Sequence, residues 1–260
     1  MLIAMAVYDT KENQRTGLTE QTLYSLLDTV NLVRHRLIVV NNNSCDATRF
    51  LLQRLHQEIP FEQIDLPKNV GTAMAINKAW KKRNPGEHCV KMDNDVVIHQ
   101  RDWPDRINEV FVKDPEIGIC GLKRKDLIER PDHPEEYWRS SIRMLPHNPG
   151  EHWLVVEEVN HVMGTCQAYS DALLNRIGYL YQMQDYGNLY GFDDSLASLR
   201  ADIAGFKRVF LPSIPIDHID PGGNPYTEWK SKNAGNVMGL YHTVMAEYNS
   251  GERDIYYGGP

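Results

Sequence analysis

The sequence predicts an α/β fold, a Rossmann-like and mostly parallel central sheet flanked by helices, on three observations. Short β-branched apolar runs alternate with helically spaced leucines through the first hundred residues. Those runs are continuously apolar rather than alternating, as strands buried on both faces must be. Polar clusters follow several of them directly, at the strand ends where such sheets bind ligands.

The elements follow in order. "LIAMAVY" (2–8) and "RLIVV" (36–40) read as buried strands ending in polar turns. Between them Leu23, Leu26, Leu27 and Val30 repeat at helical spacing behind Thr19, an expected N-cap. A second helix opens near Asp46 and carries Leu51, Leu52, Leu55 and Ile59, and a third runs through Ala73, Ile76 and Trp80. "HCVKM" (88–92) is the next strand.

Further on, Trp103, Ile107, Val110 and Phe111 mark a helix and "IGICGL" (117–122) a strand. Residues 126–153 carry no period, and irregular chain of that length is more often functional than filler. "VVEEV" and "VMGTCQAY" read as strands, and Leu173, Leu174 and Ile177 as a helix stopped by Gly178. A last helix opens at Asp193, carries Leu196, Leu199 and Ile203, and ends at Gly205. "RVFLP" is a strand, followed by "IDHID" and a Gly/Pro-rich segment at 221–225. The less regular second half contains neither an internal repeat nor a low-complexity tract.

A chain of 260 residues is long enough for one large domain or two small ones, and its 42% hydrophobic content can fill a sizeable core. With 28 Lys and Arg against 35 Asp and Glu, a formal charge of -7, it carries no broad positive field and no strong nucleic-acid signal. Cys45, Cys89, Cys120 and Cys166 are widely spaced and read as reduced thiols, not as a zinc site. No run approaches the ~20 apolar residues of a membrane span, so a soluble, cytoplasmic protein is expected.

Asp93, Asn94 and Asp95 stand directly after the apolar run ending at Met92. Carboxylates beside a core are costly unless they reach solvent or hold a cation. If the backbone stays extended there, side chains 93 and 95 share one side. The EF-hand reading fails on spacing, since its sixth and twelfth positions would be Ile98 and Pro104 rather than Gly and Glu. Asp193 and Asp194 open a helix, where acids are also ordinary capping chemistry.

Five segments in order, "VVNNNSCDAT" (39–48), "LPKNVGTAMAINKAW" (66–80), "MDNDV" (92–96), "YGFDDSLASLRADIAGFK" (190–207) and "IDHI" (216–219), resemble the GT-A-fold family 2 glycosyltransferases over about residues 2–220. The resemblance implies a metal-dependent, inverting transferase that takes a sugar from a nucleotide-sugar donor, with UDP the preferred carrier, to a hydroxyl-bearing acceptor such as a glycan. It puts Tyr8, Asn41, Asn43, Asn69, Gly71, Asp93 and Asn94 on the nucleotide. Asn41 stands at the family's base-reading aspartate and can still accept from uracil N3–H. Asp95 and His218 take the metal, and this mixed donor set favours Mn2+ over Mg2+. Asp194 is the expected base, with Asp193, one methylene shorter than the family's Glu, as the alternative; Arg200 and Gly205 match behind them. Trp229, Lys230 and Lys232 lie on a C-terminal segment expected to close over the diphosphate.

A single domain over 1–260 is expected, with 1–100 binding nucleotide and metal, 101–220 shaping the acceptor side and catalysis, and 221–260 as a C-terminal lid. The rivals are transfer to a modified nucleobase or another non-glycan acceptor, a sugar nucleotidyltransferase, and a non-catalytic binder. "YDTKENQRTG" after the first strand has a single late glycine, which argues against the nucleotidyltransferase phosphate loop.

Overall fold

A computed structural model describes residues 1–58, 60–128, 140–146, 153–223 and 225–259, with the side chains at 127, 128, 225 and 229–236 outside that description. The chain order is β1 (Leu2–Val7), α1 (Thr16–Thr29), β2 (Arg36–Asn41), α2 (Asp46–Glu58), β3 (Glu62–Asp65), α3 (Thr72–Trp80), β4 (Cys89–Met92), β5 (Val96–Val97), α4 (Trp103–Lys113) and β6 (Ile117–Gly121). It continues with α5 (Lys125–Ile128), β7 (Ser141–Met144), β8 (Val155–Glu158), β9 (Cys166–Tyr169), α6 (Asp171–Ile177), α7 (Asp193–Ile203), β10 (Lys207–Phe210), β11 (Asp217–His218) and α8 (Pro225–Ser250).

The predicted α/β sheet is present, with strand order β3-β2-β1-β4-β9-β6-β10-β8-β7. Its first four strands run parallel. β9 then enters antiparallel between β4 and β6, β10 returns parallel to β6, and β8 and β7 close the edge antiparallel. Because β2 and β4 leave β1 in opposite directions, the order reverses at β1, and a crevice opens above the carboxyl ends of β1 and β4. A two-stranded sheet of β11 and β5 lies at that end, with His218 opposite Val96.

Alternation along the strands builds two apolar layers. Ile3 and Met5 pack with Leu23 and Leu26 of α1, Leu52 of α2 and Ile107 of α4. Leu2 and Ala4 pack on the other face with Ile76 and Trp80 of α3, Leu173 of α6 and Ala197 of α7. A third cluster, Tyr181, Met183, Leu196, Val244 and Tyr248, fastens α8 to α7. Among the described residues no helix is long and apolar enough to cross a membrane.

Several boundaries differ from the sequence reading. α1 starts at Thr16, with Arg15 in the cap position, so Thr19 lies inside the helix. Its hydroxyl donates to Asp9 Oδ2 at 2.7 Å instead of capping, because a buried carboxylate is the stronger acceptor. β3, "EQID", has no apolar run to announce it, being a half-buried edge strand. The aperiodic stretch 126–153 contains β7, an exposed edge strand, while much of the rest of it, like Ile59, lies outside the described residues. The segment expected as a lid is the start of the 26-residue α8.

α7 is tied down by Arg200, which is fully buried. Its Nε donates to Ile255 O at 2.7 Å, Nη1 to Tyr179 O at 2.9 Å and Nη2 to Ile177 O. One guanidinium thus satisfies three carbonyls where the end of α6 meets the C-terminal segment. Arg200→Leu leaves those acceptors unpaired at about 1–3 kcal/mol each before relaxation, and about 3 kcal/mol is the expected total loss in urea unfolding. A loss below about 1 kcal/mol would mean that water replaces the guanidinium there.

Candidate active site

At the end of β1 the chain buries Asp9 completely. Its carboxylate accepts from Thr19 Oγ1, Thr48 Oγ1 at 3.0 Å and Asn94 Nδ2 at 2.9 Å. Burial raises the Asp9 pKa, opposed by these hydrogen bonds and by Arg15. The knot fixes Asn94, so the turn after β4 is anchored from below. Residues 94 and 95 form a bend rather than continuing the strand, yet Asp93 and Asp95 both line one cavity of about 630 Å³.

One wall is made by Tyr8, Asn42, Asn69, Gly71 and Thr72. Tyr8 is 39% exposed there. Asn42 Nδ2 donates to Asn69 Oδ1 at 2.8 Å, and Asn42 Oδ1 accepts from Val70 N at 2.9 Å. Gly71 has φ +86, and a Cβ there would come within 2.8 Å of Leu189 O, so only glycine fits between the wall and that segment.

Asn41 and Asn43 do not line the cavity. Asn41 is buried, donates to Asp65 Oδ1 at 2.7 Å and accepts from Ser44 N at 2.9 Å, which shapes the turn after β2. Asn43 takes the left-handed φ of 66 and accepts from Arg49 Nη2. Neighbouring side chains at a strand end point opposite ways, so of three successive asparagines it is Asn42 that faces inward.

The acidic wall is organised by Lys91, buried at the end of β4. Its Nζ lies 3.3 Å from Asp93 Oδ1, 3.1 Å from Asp193 Oδ2 and 3.0 Å from Gly164 O. Burial would lower the Lys91 pKa, but Asp193, Asp93 and Asp194 raise it well above the ordinary lysine value. Asp93, with 36% of its side chain exposed, shifts upward through desolvation and through Asp95 and Asp193, against the pull of Lys91.

Asp95 is buried, and its Oδ2 accepts from Arg15 Nη2 at 2.6 Å and lies 3.3 Å from His218 Nε2. Burial opposes ionisation, yet His218 and Arg15 hold the carboxyl well below the usual range. The other oxygen, Oδ1, is buried without a hydrogen-bond partner. An ionised carboxylate with an unpartnered oxygen beside an imidazole is a donor set that a divalent ion fits. Among the described residues no three His, Cys, Asp or Glu side chains complete an ion cage, so further ligands would come from bound substrate or water.

Opposite stands the start of α7. Both Asp193 and Asp194 line the cavity, Asp193 buried and ion-paired to Lys91, Asp194 with 25% of its side chain exposed. Asp194 Oδ2 accepts from Gly164 N at 2.9 Å and Oδ1 from Ser195 N at 2.8 Å. His161 Nε2 lies 3.8 Å from Asp194 Oδ2, and burial lowers the His161 pKa against the attraction of both aspartates.

The structure therefore gathers Tyr8, Asn69, Gly71, Asp93, Asn94, Asp95, Asp193, Asp194 and His218 around one cavity. The side chains of Trp229, Lys230 and Lys232 lie outside the described residues, while Tyr226, one helical turn earlier, lines the cavity. Sequence reading missed Arg15, Asn42, Lys91, His161 and Tyr226. Lys91 alone carried a signal, a lysine inside the buried run "CVKM", which calls for a partner.

A family model described as glycosyl transferase family 2 matches residues 13–178. Poly-beta-1,6-N-acetyl-D-glucosamine synthase of Staphylococcus epidermidis is 26% identical over 164 residues, 62% of this chain and 38% of that protein. The protein of the same name from Staphylococcus aureus (strain COL) is 29% identical over 99 residues, 38% of this chain and 23% of its own length. The chain thus spans well under half of either relative.

Among solved structures, the mannosyltransferase PcManGT from Pyrobaculum calidifontis, in complex with GDP-Man and Mn2+, aligns with a TM-score of 0.63 at 18% identity, covering 88% of this chain and 59% of that one. S. aureus TarS 1-349 in complex with UDP-GlcNAc aligns with a TM-score of 0.57 at 16% identity, over 83% and 56%. At such identities the likeness speaks for the GT-A fold.

Proposed function

The chain belongs to glycosyl transferase family 2, and from that premise we propose that it transfers a sugar from a nucleotide-sugar donor, UDP-linked by preference, to a hydroxyl-bearing acceptor such as a glycan, with inversion and with a divalent ion. The observation that carries the reading is the single cavity holding Asp95 and His218 on one side and Asp194 on the other, beside the Asn42, Asn69 and Gly71 wall. Residues 1–100 serve the nucleotide and, with His218, the ion, and the rest of 101–220 serves the acceptor and catalysis. The neighbours bound to GDP-Man with Mn2+ and to UDP-GlcNAc support a nucleotide-sugar donor and a divalent ion.

Tyr8 offers a ring face to the base, while Asn69, oriented by the buried Asn42, presents its amide to the nucleoside. The acceptor oxygen attacks the anomeric carbon, and its proton passes to a carboxylate oxygen of Asp194. The bond from that carbon to the phosphate oxygen breaks, and the nucleoside diphosphate leaves with the electron pair. Asp194 is held in the first turn of α7 by Gly164 N on Oδ2 and Ser195 N on Oδ1, which fixes its carboxylate at the cavity wall where a base must stand. Asp193, neutralised by Lys91, keeps that turn in place. A divalent ion held by Asp95 and His218 would offset the charge gathering on the diphosphate, and the imidazole favours Mn2+ over Mg2+.

The test is hydrolysis of a panel of UDP-, GDP- and other nucleotide sugars with Mn2+ or with chelator, reading nucleoside diphosphate and pyrophosphate. Mn2+-dependent release of UDP is expected. Pyrophosphate release would indicate nucleotidyl transfer instead, and donor binding without either product would indicate a non-catalytic relative.

A further inference from the structure

Arg15 sits where the proposed ion should bind. Although far from Asp95 in sequence, it reaches in from the start of α1: Nη2 lies 2.6 Å from Asp95 Oδ2, and Nη1 lies 2.6 Å from Asp220 Oδ2. The side chains of Arg15, Asp95 and Asp220 are only 4–5% exposed. Tyr226, near the start of α8, covers the guanidinium with its ring centroid 4.5 Å from Cζ. One positive charge thus bridges two buried carboxylates, which between them would balance a divalent ion.

We propose that Arg15 is an internal occupant of the ion site. With no donor bound it clasps Asp95 to Asp220, and a divalent ion takes Asp95 and His218 only as Arg15 is displaced. The inference rests on the assignment of Asp95 and His218 to the ion. Its physical basis is repulsion at close range: Arg15 Nη2 holds Oδ2, the Asp95 oxygen that faces His218 Nε2 at 3.3 Å, so an ion lodged between Asp95 and His218 would meet the guanidinium. Arg15 also lines the 630 Å³ cavity, so the displaced guanidinium has an anionic destination when a diphosphate is present, and its planar fork suits phosphate oxygens. Ion and nucleotide therefore bind cooperatively: the ion alone pays for breaking the clasp, whereas with nucleotide the guanidinium regains a partner.

The test is an electron paramagnetic resonance titration of Mn2+ into the full chain, with and without UDP, for wild type, Arg15→Gln, Arg15→Lys and Asp95→Asn, each checked for folding by thermal melt. Arg15→Gln is expected to bind Mn2+ alone about tenfold more tightly than wild type and to lose about that same factor from the gain that UDP gives, the remainder being direct phosphate ligation of the ion, within the usual range of site coupling. Arg15→Lys keeps the charge but cannot bridge both carboxylates, so it too should bind Mn2+ alone more tightly; this variant decides the matter if Arg15→Gln fails to fold. Wild-type Mn2+ affinity in the folded variants overturns the proposal. If Asp95→Asn leaves Mn2+ binding intact, the ion lies elsewhere and the metal assignment itself falls. If Asp95→Asn abolishes binding while the Arg15 variants match wild type, only the displacement idea is lost.

Discussion

Asp194→Asn is expected to lower sugar transfer by about 10²–10⁴-fold, the contribution of a positioned general base, while changing UDP affinity by less than about twofold. The amide is nearly isosteric and retains an acceptor oxygen for one of the two backbone N–H groups, Gly164 N or Ser195 N, that hold the carboxylate. What it loses is the capacity to take a proton at neutral pH. The nucleotide wall at Asn42, Asn69 and Gly71 lies on other elements, so binding and turnover should separate. Steady-state kcat together with calorimetric UDP binding checks both halves. Turnover near wild type would pass the role to another group, and His161, 3.8 Å from Asp194, is the first to test.

Asp193→Asn should behave differently, because that carboxylate is buried and paired with Lys91. Adjacent acids in one sequence motif are thus divided by burial, which explains why the motif alone could not separate them. In the first turn of a helix, successive side chains are about 100° apart, so within the same crevice Asp193 turns to the Lys91 ammonium and Asp194 to Gly164 N.

The same contrast governs what else was legible. β1, β2, β4 and β6 appear as apolar runs because they are buried on both faces. Gly178 marked the end of α6 because φ +72 there favours glycine. β3 and β7 lie at sheet edges and need no apolar run, so they were invisible. Cavity residues lodged in ordered motifs, such as Asp95 and Gly71, could be found through the family resemblance those motifs carry. Arg15 and His161 could not, since their relation to Asp95 and Asp194 exists only after chain segments far apart in sequence meet. Asn42 was lost to a one-residue choice of facing that local sequence does not decide.

Lys91→Met is expected to destabilise the fold by about 3–5 kcal/mol, the usual cost of removing one partner from a buried ion pair. The ammonium faces Asp93 and Asp193 and donates to Gly164 O, and Gly164 N in turn holds Asp194. A side chain at Gly164 would collide with the Lys91 ammonium, so lysine and glycine are fitted to each other. Methionine fills the stem but leaves the Asp193 carboxylate buried beside Asp93 with no countercharge. Titration cannot reveal this contribution in the ordinary range. The folded pKa of Lys91 is raised, so its stabilisation is fully present below the unfolded value of about 10.4 and fades only as pH climbs through the folded one. A double-mutant cycle can reveal it: Lys91→Met/Asp193→Asn should recover at least about 1–2 kcal/mol relative to the sum of the single variants, because the second change removes the stranded charge. Urea midpoints at neutral pH measure all four corners. Additive losses would show that Lys91 acts through packing alone, and the carboxylates around it would then need another source of neutralisation.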